Sequence, residues 1–257
     1  MDHDHPILEF DPDPHAVIEP HMVRPPLDVP DGAVPCFFSD VLQKVCIDAG
    51  APVLMTLQSA HGLHPVYEIS WHGESVAVFH PGVGAPLAGM FLDEVVAAGC
   101  RAFVAVGGAG GLVPDLTVGH VVLATSAVRD EGTSYHYLPA AREVEPDPVA
   151  VATIEGAMRA HGVPFVAGKV WTTDAPYRET RSQVQRRVAE GCLVVDMEAA
   201  ALFAIARFRG VRLGAILAAA DDLSQEQWDD RGFIPDTSLR ERLFWLAVEA
   251  AASLEPA

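Results

Sequence analysis

Cationic side chains are scarce in this chain: 17 lysines and arginines stand against 35 aspartates and glutamates, a formal net charge of -18. A surface of that sign repels phosphate backbones and anionic bilayers. It excludes a general binder of nucleic acid or acidic membranes and leaves room only for a small anion in a local pocket. Cysteine is scarce as well. Cys36, Cys46, Cys100 and Cys192 lack paired spacing and sit among apolar residues, so buried free thiols are expected rather than disulfides or zinc ligands. Half the residues are apolar, yet no unbroken apolar run approaches the ~18 residues that cross a bilayer. The start, Met1-Asp2-His3-Asp4-His5-Pro6, has neither the basic nor the apolar part of a secretory signal, so a soluble cytoplasmic protein is expected. The His-Asp repeat within it reads as a frayed, solvated terminus, and no metal or organic cofactor is implied.

What is present is an alternation. The 257 residues suit one large α/β domain with a sizeable core. Residues 1–32, rich in proline and acid, predict an extended arm that lies over the domain or over a neighbouring subunit, and residues 33–257 the domain itself. Strands are predicted at 52–57, 66–70, 75–80, 102–106, 120–125, 164–170, 192–195 and 213–219. Helices are predicted at 39–49, 86–98, 148–161, 179–189, 197–209 and 238–252. A tight turn at His72-Gly73 joins two strands, and later strands are separated by helices, which predicts a mixed central β-sheet flanked by helices on both faces. In the helix at 86–98, Leu87, Met90, Phe91, Val95 and Ala98 form the core face, which leaves Asp93 and Glu94 to solvent.

Two acidic segments stand where strands end. Val194-Val195-Asp196-Met197-Glu198-Ala199-Ala200-Ala201 runs from a strand into an alanine-rich helix, and Leu213–Ala220 ends abruptly in Asp221 and Asp222. An unpaired carboxylate is costly to bury, and the carboxyl ends of strands are where open α/β sheets bind ligands. Two glycine loops precede them, His80-Pro81-Gly82-Val83-Gly84-Ala85-Pro86 and Gly107-Gly108-Ala109-Gly110-Gly111-Leu112, followed by the turn Thr173-Asp174-Ala175-Pro176-Tyr177. The two loops, the turn and the Val194–Ala201 segment, four segments in this order, resemble the nucleoside phosphorylase superfamily, which includes purine nucleoside phosphorylases, uridine phosphorylases and methylthioadenosine nucleosidases. The resemblance runs from about residue 33 to the last helix.

That resemblance implies cleavage of a nucleoside's N-glycosidic bond, with a homo-oligomer, a dimer or a ring of dimers, as the working form. Such cleavage builds positive charge on the sugar and negative charge on the base, so it needs a carboxylate near the ribose and a proton donor near the base. Glu198 is implied as the ribose carboxylate, with Met197 packing on the sugar and Asp196 close by; an acidic pair serving a helix dipole is the structural alternative. Asp221 is implied as the proton donor, which favours a purine-like base and requires a raised pKa. Asp222 reads as a cap. The resemblance sets Pro176, Tyr177 and Gly110 beside the base, and Gly82, Gly84, Gly107 and Gly108 beside phosphate or water. Trp171 is a second stacking candidate, and Arg178 either meets a base oxygen or lies exposed. His136, in the segment 129–137, is either a neighbouring subunit's contact to the 5′-hydroxyl or part of a packed loop.

The family's phosphate ligands are missing. The Gly-Asp-Pro-x-Arg position reads Phe37-Phe38-Ser39-Asp40-Val41-Leu42, the strand arginine is Ala105, and a hydroxyl residue is Gly108. Each lost charge-assisted bond is worth about 1.5–3 kcal/mol, and Arg24, Lys44, Arg101 and Arg129 are the candidate substitutes. The nucleosidase branch is similar in its glycine loop, Gly107-Gly108-Ala109-Gly110-Gly111-Leu112, but Gln58 and Leu217 stand where its acid and its arginine would be. Phosphate is thus the nominal acceptor and water the alternative, and a non-catalytic nucleoside-binding protein is a further reading. A dinucleotide enzyme is disfavoured because the glycine run does not match G-x-G-x-x-G.

Overall fold

The computed structural model describes residues 5–116, 119–230 and 237–257; apart from His5, the His-Asp repeat lies outside them. The ordered strands are β1 (Gly32–Pro35), β2 (Val53–Ser59), β3 (Gly62–Trp71), β4 (Glu74–Phe79), β5 (Ala102–Gly111), β6 (Val121–Asp130), β7 (Glu143–Val144), β8 (Phe165–Thr173), β9 (Cys192–Asp196) and β10 (Arg212–Asp222). The helices are α1 (Pro20–Val23), α2 (Ser39–Leu42), α3 (Ala85–Ala98), α4 (Pro148–Ala160), α5 (Arg181–Ala189), α6 (Ala199–Arg209) and α7 (Thr237–Ser253). A π turn, Gln43–Ile47, continues α2.

The sheet closes on itself at one end. β5 pairs with β10 in parallel, β10 with β6 antiparallel, β6 with β8 and β8 with β9 in parallel, and β9 returns antiparallel to β5. From this five-stranded ring an open wing extends through β1 and β4 to the hairpin of β3 and β2. Continuous apolar runs make β5 and β10 the spine, because strands covered on both faces gain nothing from alternation. Helices α3 and α6 cover one face and α4 and α7 the other. This is the mixed sheet with helices on both faces that the pattern predicts.

Local signals explain the helix ends. Asp147 caps α4 by accepting the Val149 and Ala150 amides, Thr180 and Gln183 form a capping box at α5, and Gly210 ends α6 in the left-handed region at φ 67°. The alanines of α6 leave it apolar all round, and its residues 199–206 are buried.

Four expectations change. The short strand β1, fully buried between prolines, has too little pattern to be seen. The glycine run 107–111 is not a loop but the second half of β5, and the acids Asp221 and Asp222 still belong to β10. A register shift between Ala219 and Asp221 bulges β10 there, and bulges re-aim side chains. Asp93 and Glu94 are buried rather than solvent-facing: Asp93 accepts from Tyr137 Oη (2.6 Å) and Arg209 Nε (2.7 Å), and Glu94 pairs with Arg24 at 3.3 Å. Those partners fasten the amino-terminal arm to its own domain, together with the Leu27 amide donating to Ala98 O (2.8 Å) and Arg209 lying 3.9 Å from Glu19. The four cysteines are buried and unpaired, as expected, and burial pushes each thiol up to about 12.

Candidate active site

The turn from β9 into α6 places three predicted residues. Asp196 Oδ2 accepts the amides of Ala199 (2.7 Å) and Glu198 (3.3 Å), and its Oδ1 accepts the Thr172 hydroxyl at 2.7 Å. Thr172 in turn accepts the Ala200 amide at 3.0 Å. The Asp196 carboxylate therefore secures the helix start, and it also lines the recess beside Glu198. Met197 is half-buried at the corner. Glu198 is buried, and its Oε1 accepts the Gly84 amide at 2.6 Å. Gly82 and Gly84 sit at φ 81° and 92°, backbone that only glycine adopts without strain. The Gly82 amide donates to His80 Nδ1 at 3.0 Å. Burial first, and the Asp196 charge second, push the Glu198 carboxyl above the usual carboxylate range.

Asp196→Ala should destabilise the fold by about 2–4 kcal/mol, because three buried donors lose their acceptor. Urea denaturation measures it; a change within 0.5 kcal/mol, roughly the surface-substitution range, would refute the capping role.

Glu198 opens on a recess of about 10 Å³ whose other walls include Phe37, Ala105, Gly107, Gly108 and Leu217. That volume holds about one water molecule. The phosphate substitutes proposed from sequence do not reach it. Arg24 donates to Thr56 O (2.7 Å), Lys44 pairs with Glu241 (2.6 Å), Arg101 donates to Val96 O (2.6 Å), and Arg129 is buried against Ser134, Leu138 and Pro139. Gln58 is exposed on β2. A Cβ on Gly107 would stand 3.0 Å from the Phe37 ring, so the glycine there lets Phe37 close over the strand.

Asp221 lines a second, larger hollow of about 500 Å³, where Pro176, Tyr177 and Glu179 face Leu223 and Trp228. Its Oδ2 accepts Trp228 Nε1 at 2.7 Å. Burial, then the charges of Asp222 and Asp230, push its carboxyl upward against the pull of that bond. Burial and the Asp221 charge push Glu179 up to about 7. Asp222 is a cap, as read from sequence: its Oδ1 accepts the Ser224 amide at 2.7 Å. Tyr177 is fully exposed and Arg178 is exposed, whereas Trp171 is a core residue at 1% exposure whose Nε1 donates to Asp130 Oδ2 (2.9 Å). Trp171 is therefore no stacking partner.

The two carboxyls do not share one cavity. They are linked along β5, where Gly108 walls the Glu198 recess and Gly110 lies against Asp221, with a hypothetical Cβ 3.2 Å from Asp221 Oδ1 and 2.5 Å from Leu223. Two residues of strand span about 7 Å, the scale of a sugar joined to a base. A third hollow of about 620 Å³ lies under the amino-terminal arm, between His15, Ile18, His136, Asp174 and Arg209. His136 reaches that hollow rather than either acid. Glu179 and Trp228 escape the sequence reading, and Phe37 enters it only as part of the segment that replaces the phosphate loop. Glu179 follows Arg178 as one more charge before a capping box, and Trp228 lies in an acidic stretch without periodicity.

Comparison with known proteins finds a matching family and several relatives. The model of the phosphorylase superfamily matches residues 40–242. A guanosine phosphorylase of Halorubrum lacusprofundi is 31% identical over 160 residues, 62% of this chain and 66% of that protein. A uridine phosphorylase of Treponema pallidum is 33% identical over 153 residues, 55% of this chain and 59% of that one. These matches therefore span less than two thirds of either relative. The crystal structure of an AMP nucleosidase from Bacteroides thetaiotaomicron superposes with a TM-score of 0.69 at 25% identity, covering 87% of this chain and 88% of that one.

Proposed function

The chain belongs to the phosphorylase superfamily, and from that premise we propose that it cleaves the N-glycosidic bond of a nucleoside with a purine-like base, with phosphate as the nominal acceptor. The observation that carries this reading is a pair of carboxyls set at two points along β5, Glu198 buried and Asp221 half-buried. The sugar lies at Glu198 and the base fills the Asp221 hollow. As the C1′–N bond breaks, its electron pair passes to the base and the Asp221 proton moves to the base nitrogen, while positive charge grows on the ribose. A carboxyl whose pKa is raised by burial gains most when a cation forms beside it, and that is the service of Glu198. Gly84 holds Glu198 in place, and Tyr177 with Pro176 supplies the outer wall for the base.

One observation favours a second acceptor. The recess beside Glu198 has room for a single water and is walled by Phe37, Ala105 and Leu217, a size and lining that suit water as the acceptor better than phosphate. Chromatography of the products from a nucleoside panel, with and without phosphate, separates the two. Phosphorolysis predicts a sugar phosphate and no base release in phosphate-free buffer. Base release unchanged by removing phosphate assigns water, and no release with any nucleoside would refute the enzymatic reading.

The working form is a cytoplasmic homo-oligomer, a dimer or a ring of dimers. Exposed apolar residues of the arm, Val17, Ile18 and Met22, support a covered face there. Light scattering at micromolar protein should give at least twice the 27.4 kDa chain mass; a monomer would contradict it.

A further inference from the structure

We propose that His80 is a positioning residue for Glu198: its Nδ1 holds the Gly82 amide and thereby sets the glycine turn from which the Gly84 amide grips the carboxyl. The inference rests on the assignment of Glu198 to the sugar, and it adds what keeps that carboxyl in register.

The turn cannot fix itself. Gly82 and Gly84 stand at φ 81° and 92°, and glycine has more backbone freedom to lose than any other residue. Val83 between them is 64% exposed, so its side chain does not pin the turn. Gly82 passes so close to Leu87 that a Cβ would collide, which excludes an anchoring side chain there as well. The far end of the turn is tied to α3, whose Ala88 amide donates to Gly84 O at 3.1 Å. Its near end is tied by the imidazole, which accepts the Gly82 amide at 3.0 Å.

The ring is held in the form this bond needs. A ring nitrogen that accepts carries no hydrogen, so the proton belongs on Nε2. His80 is half-buried at the end of β4, edge-on to Phe37 with ring centroids 6.1 Å apart, and it hydrogen-bonds the Phe37 backbone. Among the described residues His64 of β3 is the titratable group that bears on it, and Glu198 of the α6 start lies beyond the turn. Burial first, and the His64 imidazole second, push the His80 pKa below the usual range against the pull of Phe37. His80 is therefore neutral at neutral pH, and only acid puts a hydrogen on Nδ1 and expels the Gly82 amide. Phe37 also walls the Glu198 recess, so one imidazole braces two sides of the sugar site.

Steady-state kinetics on His80→Leu and His80→Asn, each made in the wild type and in Glu198→Gln, test this. His80→Leu removes the acceptor and should lower kcat about 10- to 100-fold, the scale of a misplacement of about 1 Å, with a KM changed by less than about 3-fold. His80→Asn, whose Oδ1 stands near the place of Nδ1, should recover most of that loss. In Glu198→Gln no carboxylate charge is left to place, so His80→Leu should cost no more than about 2-fold further. Equal penalties in both backgrounds, or asparagine no better than leucine, would make His80 merely structural and overturn the assignment. Crystal structures of the same variants, with melting curves as the folding control, read the position without turnover. Glu198 displaced in His80→Leu and restored in His80→Asn is the expected result, and Glu198 unmoved overturns the proposal. Should His80→Leu not fold, nitrogen NMR of the wild-type imidazole decides: Nδ1 free of hydrogen and a ring that titrates below the ordinary midpoint of about 6.5 are expected, whereas a hydrogen on Nδ1 at neutral pH overturns it. If the wild type cleaves no nucleoside, the catalytic reading fails, and the crystals alone decide whether His80 places Glu198.

Discussion

Asp221→Asn should lower the rate of base release by about 10²- to 10⁴-fold, the usual contribution of a positioned general acid. Asparagine keeps an oxygen for the Trp228 indole N–H, which Asp221 now accepts at 2.7 Å, so the hollow retains its shape. What disappears is the proton. Burial and the neighbouring charges of Asp222 and Asp230 raise the Asp221 pKa, and a raised pKa keeps the acid form present further toward neutrality. Activity depends on the protonated form, so it falls as pH rises through the folded-state pKa. Asp221→Asn should have low activity with that alkaline limb removed. Steady-state rates across pH, with thermal melting as a control, check it. Wild-type turnover by a well-folded Asp221→Asn protein would remove Asp221 from the chemistry.

Glu198→Gln should cost about 10²- to 10³-fold in kcat, with a smaller change in KM. Glutamine still accepts the Gly84 amide that Glu198 Oε1 accepts at 2.6 Å, so the loop of Gly82 and Gly84 stays anchored. The amide cannot supply negative charge to the forming ribosyl cation, and a stabiliser aimed at transition-state charge is worth about that much. Its loss should therefore fall on kcat rather than on ground-state binding. A variant that changes KM alone would make Glu198 a simple sugar contact.

Much of the fold was legible because its signals are local. The apolar runs of β5 and β10, the cap at Asp147 and the capping box at Thr180 each announce themselves within a few residues. The glycine run after Val106 misleads for a physical reason: glycine usually breaks strands, yet here it lets β5 pass beneath Phe37 and beside Asp221 without a collision. Asp93 and Glu94 are polar in sequence and buried in the fold because their partners, Arg209 and Arg24, come from distant segments. Site residues show the same division. Glu198 and Asp221 stand at strand ends, where the pattern points to them. Asp196 carries the same signal and also caps the backbone of α6, and the Glu179 side chain enters the Asp221 hollow only through the turn before α5.

The central claim is that one nucleoside bridges the Glu198 recess and the Asp221 hollow along β5. A crystal soaked with guanosine and phosphate tests it most directly. The account predicts ribose hydroxyls within hydrogen-bond distance of Glu198 and the imidazole edge of the base against Asp221, in one continuous ligand. A nucleoside that touches only one of the two carboxyls, or that settles in the hollow under the amino-terminal arm, would contradict it.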